Sequence, residues 1–452
     1  MGVTNLLNIS AQGLSAYQQA LAVTSHNIGN ANNPNFSRQR VVMTAISSDG
    51  AQGNTLGAGV RMEDVTRVKS KMIDSQLRGY YSQNSLSTKQ SDYLSQIESL
   101  VAEPGDQGLS SMMNKFFNSW SELAVNPNSV PLRQNVVQTA QQMTGKFKSI
   151  YDGIQQVKPE LKAEADTSVA SINTTVTNIK DLNKQIYEAR ITGNDANDLM
   201  DKRDEAINGL SKLANISVTY DKDNSASVSI GGIMAVDRFS AMQFKTTLDN
   251  GKLSITTQDG ASSAAMQGGE LGAITEVYNN VLPRLTGKLD ETANRIMSQV
   301  NAIHSAGYTG QTPPATGTNF FGSYETGSLK ISSDILSDPR NIATSADGTS
   351  GNNSVALQIA GLTTAKSSDG TTLGEYYSGF VNDIATTIQS ANQTSSSTDM
   401  VLQQLENQKS SYSGVSVDEE MVNILKYQRG YDASAKLIKV AKELFDTLLA
   451  IT

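Results

Sequence analysis

The sequence predicts a mainly α protein with a β insert, arranged as a terminal α-helical coiled coil, an elongated helical bundle and a small inserted antiparallel β domain. Three patterns predict it. Apolar side chains keep a 3.5-residue spacing at both ends of the 452-residue chain, the same spacing returns in the middle, and between residues 216 and 267 the period drops to two. A stripe every 3.5 residues is a helix face that needs another helix, whereas alternation lines one face of a strand.

At the C-terminal end the seam runs through Val417, Met421, Ile424, Tyr431, Ala435, Ile438, Phe445 and Leu449. Ser416 with Glu419 marks its start as a capping box, Asp418, Glu419 and Glu420 suit the positive end of the helix dipole, and Lys436, Lys439 and Lys442 suit the other half. A second seam, Leu437, Ala441, Leu444, Leu448 and Ile451, makes the last turns apolar over a wide arc. At the other end, residues 1–37 hold no Asp, Glu, Lys or Arg, and Val3, Leu7, Leu14, Tyr17, Leu21 and Ile28 keep the same spacing, with Ser10 and Thr24 at the remaining seam positions. Two seamed ends predict one coiled coil. A two-helix rod buries one stripe per helix, so these ends read as built for neighbours.

Between the ends the chain reads in order. Residues 27–39 are an Asn-rich turn in which Asn33-Pro34 breaks the helix and Asn35 is placed to adopt a left-handed conformation. Residues 41–60 read as a hairpin that turns at Ser47-Ser48-Asp49-Gly50. A long helix is expected from about Asp64 to Val101, stopped by Glu103-Pro104-Gly105, with Leu86, Tyr93, Ile97 and Leu100 on one face. A short helix over Leu109 to Ala124 carries the only Trp, Trp120, as core. From Pro131 to about Leu213 the pattern is helical, with Ala165, Ile172, Ile179 and Ile186 in heptad spacing.

The insert then alternates: Val218 and Tyr220, Val228 and Ile230, Leu253 and Ile255, with Asn250-Gly251 and Asp259-Gly260 as hairpin signals. Helix resumes after Gly268-Gly269, with Pro283 predicting a kink or a late start, and carries Leu285, Leu289, Ile296 and Val300 to His304. Residues 307–351 are Gly/Thr/Ser-rich loop or weak strand. A helical hairpin follows, Ser354 to Leu362 and Leu373 to Ser411, and Ser413-Gly414 hinges into the last helix. The expected division is 1–60 and 413–452 for the two parts of the coiled-coil domain, 61–214 and 269–412 for the two parts of the bundle, and 215–268 for the β insert.

Composition narrows the function. Net charge is −8 with both signs dispersed, so no basic surface calls for nucleic acid. There is no cysteine, and His26 and His304 have no ligand-spaced companions, so no metal or cofactor site is expected, only solvated or capping histidines. The carboxylate groups Asp201/Asp204/Glu205 and Asp418/Glu419/Glu420 read as solvated or capping faces rather than catalytic pairs. No HExxH, GxSxG or phosphate loop is present, and no enzyme is expected. No run is long enough to span a membrane and the first residues lack a signal-peptide pattern, which predicts no membrane insertion and export, if any, without a cleaved signal.

Asn27, Asn30, Asn32, Pro34, Ser37, Arg38 and Gln39 fall on an Asn-x-x-Asn-x-Asn-x-Pro-Gly-Tyr-Ser-Arg-Gln pattern, with Asn35 and Phe36 in place of its Gly and Tyr. By it the chain resembles the bacterial flagellar rod, hook and hook-associated proteins. Asp418, Glu419, Gln428, Tyr431, Ala433, Ser434 and the ending Glu443 to Leu449 are similar to the same family, and the long helical middle resembles its hook–filament junction members. The resemblance implies a structural subunit, exported by the flagellar type III apparatus and lying outside the cell in the axial helical lattice. Its implied partners are copies of itself, the hook protein, a second junction protein, and an export chaperone masking Ile424 to Leu449. Two other classes remain open: another axial protein of hook or rod type, and a secreted helical translocator or adhesin. A translocator that inserts in membranes calls for a basic face or interfacial Trp on the terminal helices, and the first helix has neither. A wall-degrading enzyme riding the same export signals calls for a buried acidic pair in the insert, where most acids lie in turn contexts.

Overall fold

The computed structural model describes residues 3–46, 57–101, 105–367 and 369–451. The expected hairpin turn at 47–50 and most of the expected helix stop at 103–105 lie outside them. The first helix, α1 (Val3–Gly29), leads through the Asn-rich turn into β1 (Gln39–Ala45) and β2 (Val60–Arg67), an antiparallel ribbon with a bulge at Val42/Met43. Helix α2 (Lys71–Val101) therefore starts later than the sequence predicts. Asp64 sits in β2 opposite Val42, in a strand whose Val60, Val65 and Thr66 are β-branched residues that favour extended backbone.

Next come α3 (Leu109–Val125), α4 (Val130–Ile191) and α5 (Asn197–Leu213). Ser129 caps α4, its hydroxyl accepting the Leu132 amide, with Pro131 in the first turn where a missing N–H costs nothing. At about 1.5 Å per residue α4 runs for roughly 90 Å, and its seam Ala165, Val169, Ile172, Val176, Ile179 and Ile186 is buried as predicted. The single helical run expected from Pro131 to Leu213 is broken at residues 192–196, where Gly193 takes φ 76° and reverses the chain.

The insert holds β3 (Ile216–Tyr220), β4 (Ala226–Ile230), β5 (Ile233–Asp237) and β6 (Ser240–Ala241) in one antiparallel sheet, and β7 (Phe244–Asp249), β8 (Lys252–Thr257) and β9 (Ser263–Ala264) in another. Asn250 and Gly251, at φ 49° and 77°, close the β7/β8 hairpin as the Asn-Gly pair predicts. Among the described non-glycine residues left-handed backbone falls at Asn224, Arg238 and Asn250, and Asn35 does not adopt it.

Helix α6 (Gly269–Glu276) passes through a π-helical turn, Val277–Val281, into α7 (Leu282–His304). Pro283 lacks the amide needed to continue the α-helical ladder, and the extra residue of the π turn absorbs the break. Short strands β10 (Tyr308–Thr309), β11 (Phe321–Glu325) and β12 (Ser328–Ile331), helix α8 (Ser333–Ser337) and strand β13 (Ala343–Ser345) follow. Then come α9 (Ser354–Ala360), α10 (Leu373–Ser413) and α11 (Val417–Ile451). Thr372 and Glu375 form a full capping box at the start of α10. Helix α9 packs on α3 and α10 lies along α2.

One apolar core joins α3, α4, α7, α9, the insert and the upper part of α2 and α10. At its centre Trp120 meets Phe116, Phe320 and His304 edge-on at 5.4–6.3 Å. His304 is buried, not solvated as the sequence suggests. Its Nε2 accepts the Ala343 amide at 2.9 Å, and Nδ1 pairs with the Thr318 carbonyl at 2.7 Å, which assigns the neutral tautomer with the proton on Nδ1. Burial, assisted by Arg133, pushes its pKa down to about 4. Lower down, α2 and α10 continue as a two-helix stalk closed by Ile73, Leu77, Leu402 and Leu405. Beyond the stalk α1 packs on α11.

Candidate assembly interface

Helices α1 and α11 pair antiparallel in one unbroken register. A Cβ on Gly13 would stand 3.0 Å from Ser434 Oγ, a Cβ on Gly430 would stand 2.6 Å from the Tyr17 ring, and Asn27 reaches Glu420 at 3.3 Å. The buried stripe of α1 is Ser10, Gly13, Ala16, Ala20, Thr24 and Asn27. Among the described side chains of α11 the buried ones are Glu420, Ser434 and Ala441. Both seams are thus made of small or polar residues, and the close approach of the two backbones is what requires them.

Of the apolar seam read from the sequence, Tyr17 meets Gly430 inside this contact, while none of the seam residues is fully buried by it. Val3, Leu7, Leu14, Tyr17, Leu21 and Ile28 are half-buried, as are Ile424, Tyr431 and Ile438. Met421 is 50 % exposed, Phe445 46 % and Leu449 61 %. Val417, Val422, Leu425, Leu437, Val440 and Leu444 are exposed as well, so around the rest of its circumference α11 carries large apolar side chains that α1 leaves uncovered. Ala435 is also exposed, and Ser10 and Thr24, the two polar seam positions, are the ones that are buried.

The Asn-rich motif anchors this helix pair to the rest of the molecule. Asn27 Nδ2 donates to the Gln39 carbonyl at 2.8 Å while its Oδ1 accepts the Gln39 amide at 2.9 Å, which ties the end of α1 to the start of β1. Ser37 gives both its amide and its hydroxyl to Asp201, at 3.0 and 2.7 Å. Gln39 Nε2 donates to Asp198 at 2.9 Å. Arg38 splits its guanidinium between Glu419 and Glu420, each at 2.7 Å, and its amide donates to the Ser413 carbonyl. Asn30 bonds the His26 carbonyl, whereas Asn32 and Pro34 are exposed and make no such tie. Asn35 holds an Asx turn with Asn33 and reaches Glu205 at 2.8 Å, and Phe36 packs edge-on against His26.

The carboxylates read as solvated faces are part of this anchor. Asp201 is 7 % exposed, Asp204 4 % and Glu420 2 %. Arg67 bonds both Asp201 and Asp204, at 2.7 and 2.8 Å, and Lys69 reaches Asp204 and Asp74. Tyr220 of the insert donates its hydroxyl to Asp204 at 3.2 Å. Burial alone would push the Asp204 carboxyl up, but Lys69, Arg67 and Arg203 together outweigh it and hold the pKa down at about 2. For Arg67 burial likewise opposes the charge, and the two aspartates reverse it. Asn197 adds a bond to the Val65 carbonyl at 2.7 Å.

Sequence reasoning missed Arg67, Lys69, Asn197, Asp201 and Asp204 as a unit. The available signal was the spacing of Asp198, Asp201 and Asp204 or Glu205, an acidic stripe on one face of a helix. Among the described residues no group of three or more His, Asp or Glu side chains is placed to hold a metal, and no helix is long and apolar enough to cross a membrane.

Residues 94–321 match the family model described as "Flagellar hook-associated protein FlgK helical domain", and residues 407–451 match the one described as "Flagellar basal body rod FlgEFG protein C-terminal". Among curated proteins, flagellar hook-associated protein 1 of Bacillus subtilis (strain 168) is 29 % identical over 98 % of this chain and 97 % of that protein. Its counterpart from Salmonella typhimurium (strain LT2) is 24 % identical over 99 % and 100 %. Among solved structures, the flagellar hook junction protein FlgK from Burkholderia pseudomallei aligns with a TM-score of 0.64 at 15 % identity, covering 75 % of this chain and all of that one, a likeness of fold.

Proposed function

The chain belongs to the family of FlgK flagellar hook-associated proteins, whose helical-domain match alone spans half of it, and from that premise we propose that it is a structural subunit joining hook to filament in the bacterial flagellum. It is a building unit and not an enzyme. The observation that carries the mechanism is the division of labour on α11. The face turned to α1 is small and polar, while the larger apolar side chains from Val417 to Leu444 face outward. Burying one Leu, Val or Phe fully is worth about 1.5–3 kcal/mol, so the outward face gains its stabilisation only when neighbouring subunits cover it.

The finer features follow the same reading. Residues 1–60 and 413–452 act as the lattice-forming unit, 61–214 with 269–412 as the helical body and 215–268 as an outward insert. The assembly residues are Val3, Leu7, Leu14, Tyr17, Leu21 and Ile28 with Met421, Ile424, Tyr431, Ile438, Phe445 and Leu449, half-buried or exposed flanks of the pair that neighbours complete. The subunit contacts the hook protein on one side and a second junction protein on the other. Before export through the flagellar type III apparatus, a chaperone covers Ile424 to Leu449, the same apolar surface that the lattice later takes.

Hydrogen exchange on the purified monomer and on isolated flagella tests this. The amides of α1 and α11 exchange faster than those of α3 and α4 in the monomer and become protected in the flagellum. Terminal helices already as protected in the monomer as the body would refute the mechanism, because no neighbour would then be needed to hold them.

A further inference from the structure

We propose that helix α10 carries a flexure, three polar layers at which its lower half parts from α2 and lets the terminal rod tilt about the charged anchor. The α2/α10 pair is held by two apolar blocks. Above, Tyr93, Leu94, Ile97 and Val101 of α2 lie with Phe380, Ile384 and Ile388 of α10 in the main core. Below, Ile73 and Leu77 meet Leu402 and Leu405. Between the blocks the helices are joined by hydrogen bonds, in antiparallel order. Ser91 donates to Asn392 at 2.6 Å, Thr88 and Ser395 share a hydroxyl–hydroxyl bond of 2.8 Å, and Asn84 Nδ2 donates to the Thr398 hydroxyl and the Ser395 carbonyl, each at 3.1 Å. From residue 389 to 399, roughly 16 Å of helix, the only apolar side chain on α10 is Ala391. Thr88 and Asn392 are exposed, so water reaches two of the three layers.

Polar layers part at little cost, since water takes over each hydrogen bond, whereas parting an apolar block exposes its surface. The helix itself is weak at the same place. Thr394 to Thr398 is an unbroken run of Ser and Thr, which have lower helix propensity than Ala, Leu or Lys. The hydroxyls of Thr394 and Thr398 turn back to the carbonyls of Ser390 and Thr394, each at 2.9 Å, a pattern that bends helices. Helix α2 is backed at this level: a Cβ on Gly272 of α6 would stand 3.2 Å from Leu86, and Lys212 of α5 lies 5.0 Å over the Tyr81 ring. Helix α10 is therefore the partner that moves. The rod is joined to the rest of the molecule twice. One join is the ion-paired anchor on α5, where Ser37 bonds Asp201 and Arg67 bonds Asp201 and Asp204. The other is α10, which runs through Gly414 into α11. A stiff join beside one that yields makes a pivot, so opening of the polar layers turns the rod about the anchor.

The chain has no cysteine, so an introduced thiol is the only one. Thr398 and Ile388 are equally buried on α10, 7 % and 8 % exposed, one in the polar layers and one in the upper block. In the full-length protein under native conditions Thr398→Cys is expected to react with a thiol reagent faster than Ile388→Cys by about tenfold or more, and rates within about threefold of each other overturn the flexure. Thr88→Cys with Ser395→Cys locks the layers: on oxidation, amide exchange slows about tenfold over residues 392–405 and stays unchanged in α3 and α4. Exchange that does not slow once the disulfide has formed overturns the flexure equally. The tilt has its own readout, the distance distribution between spin labels on Lys202→Cys of α5 and Val440→Cys of α11, both exposed positions. Filling the seam with Asn84→Leu and Thr398→Leu narrows that distribution. A distribution as broad as the parent's, in a filled chain whose α10 amides have become protected, overturns the tilt.

Discussion

Replacing Asp204 by Asn removes the one carboxylate that Lys69, Arg67 and Tyr220 share at the join between the terminal rod and the body. Asn keeps the shape and loses the charge. The pKa of Asp204 is held from an ordinary 3.8 down to about 2, and at about 1.4 kcal/mol per pKa unit that is a stabilisation of roughly 2–3 kcal/mol. Because the side chain is almost fully buried, solvent screening takes little from this figure, and two nearby cations left short of a counter-charge bring the expected loss to about 3 kcal/mol. The sign follows from the depressed value. The folded carboxylate is favoured above the unfolded pKa near 4, and the advantage disappears as pH falls through the folded pKa near 2. The difference between Asp204→Asn and the parent is thus full at pH 6–7 and shrinks steadily below pH 4. Urea unfolding followed by Trp120 emission measures it, since Trp120 is the only Trp and sits in the same core as Ile207 and Leu210 of α5. A variant within about 0.5 kcal/mol of the parent at pH 7, or a gap that does not change between pH 6 and pH 3, would refute the electrostatic account of the anchor.

Three further outcomes are expected. His304, whose pKa is pushed down to about 4 in the core from near 6.5 when unfolded, contributes stability above pH 6.5 that is lost as pH falls toward 4, up to about 3 kcal/mol; His304→Gln unfolding curves by Trp120 emission lack that slope whatever their absolute stability. Gly430→Ala drives a methyl against the Tyr17 ring and opens the α1/α11 pair at a cost of about 1–3 kcal/mol despite the better helix propensity of Ala; the loss shows as faster amide exchange in α1, and Tyr17→Ala in the same chain reverses it. Asn27→Ala orphans the buried Gln39 amide and carbonyl, costs about 1–3 kcal/mol, and shows as faster exchange at Gln39 while α3 and α4 keep their protection.

The parts of the fold legible in the sequence are those where one physical rule acts without competition. The α4 seam at Ile172, Ile179 and Ile186 meets a large core on its far side, so size and burial point the same way. The Asn250-Gly251 hairpin needs left-handed backbone and its residues supply it. In α1 and α11 two rules compete. Hydrophobicity marks Leu14 and Tyr17, but the distance of approach is set by Gly13, Ala20, Gly430 and Ser434, and the buried stripe shifts to the small residues. The heptad gives the phase of a helix and leaves open which neighbouring stripe faces which partner. The anchor was hidden for another reason. Arg67 and Asp201 are more than a hundred residues apart, and neither has a local partner that marks it as buried.

The inverted arrangement of α11 has its own thermodynamic sense. A helix pair that buried its large apolar residues internally would be stable alone and would offer neighbours a polar surface. Here the internal seam stays thin, the anchor at Ser37, Arg38 and Asp201 fixes where the rod leaves the body, and the larger apolar side chains wait outside. Coverage by neighbours then adds the stability that the single chain lacks, so the folding of the rod is coupled to the concentration of its partners. The charged anchor is what makes this coupling directional: Arg38 links Glu419 and Glu420 to the Ser413 carbonyl at the hinge, so α11 keeps its angle to α10 while its outer face is still uncovered. Loss of Arg38 is therefore expected to impair incorporation more than it lowers the stability of the body. Arg38→Met flagella scored for incorporated subunit, beside the Trp120 unfolding curve of the same variant, separate the two effects. Equal losses in both would mean that the anchor serves the fold alone.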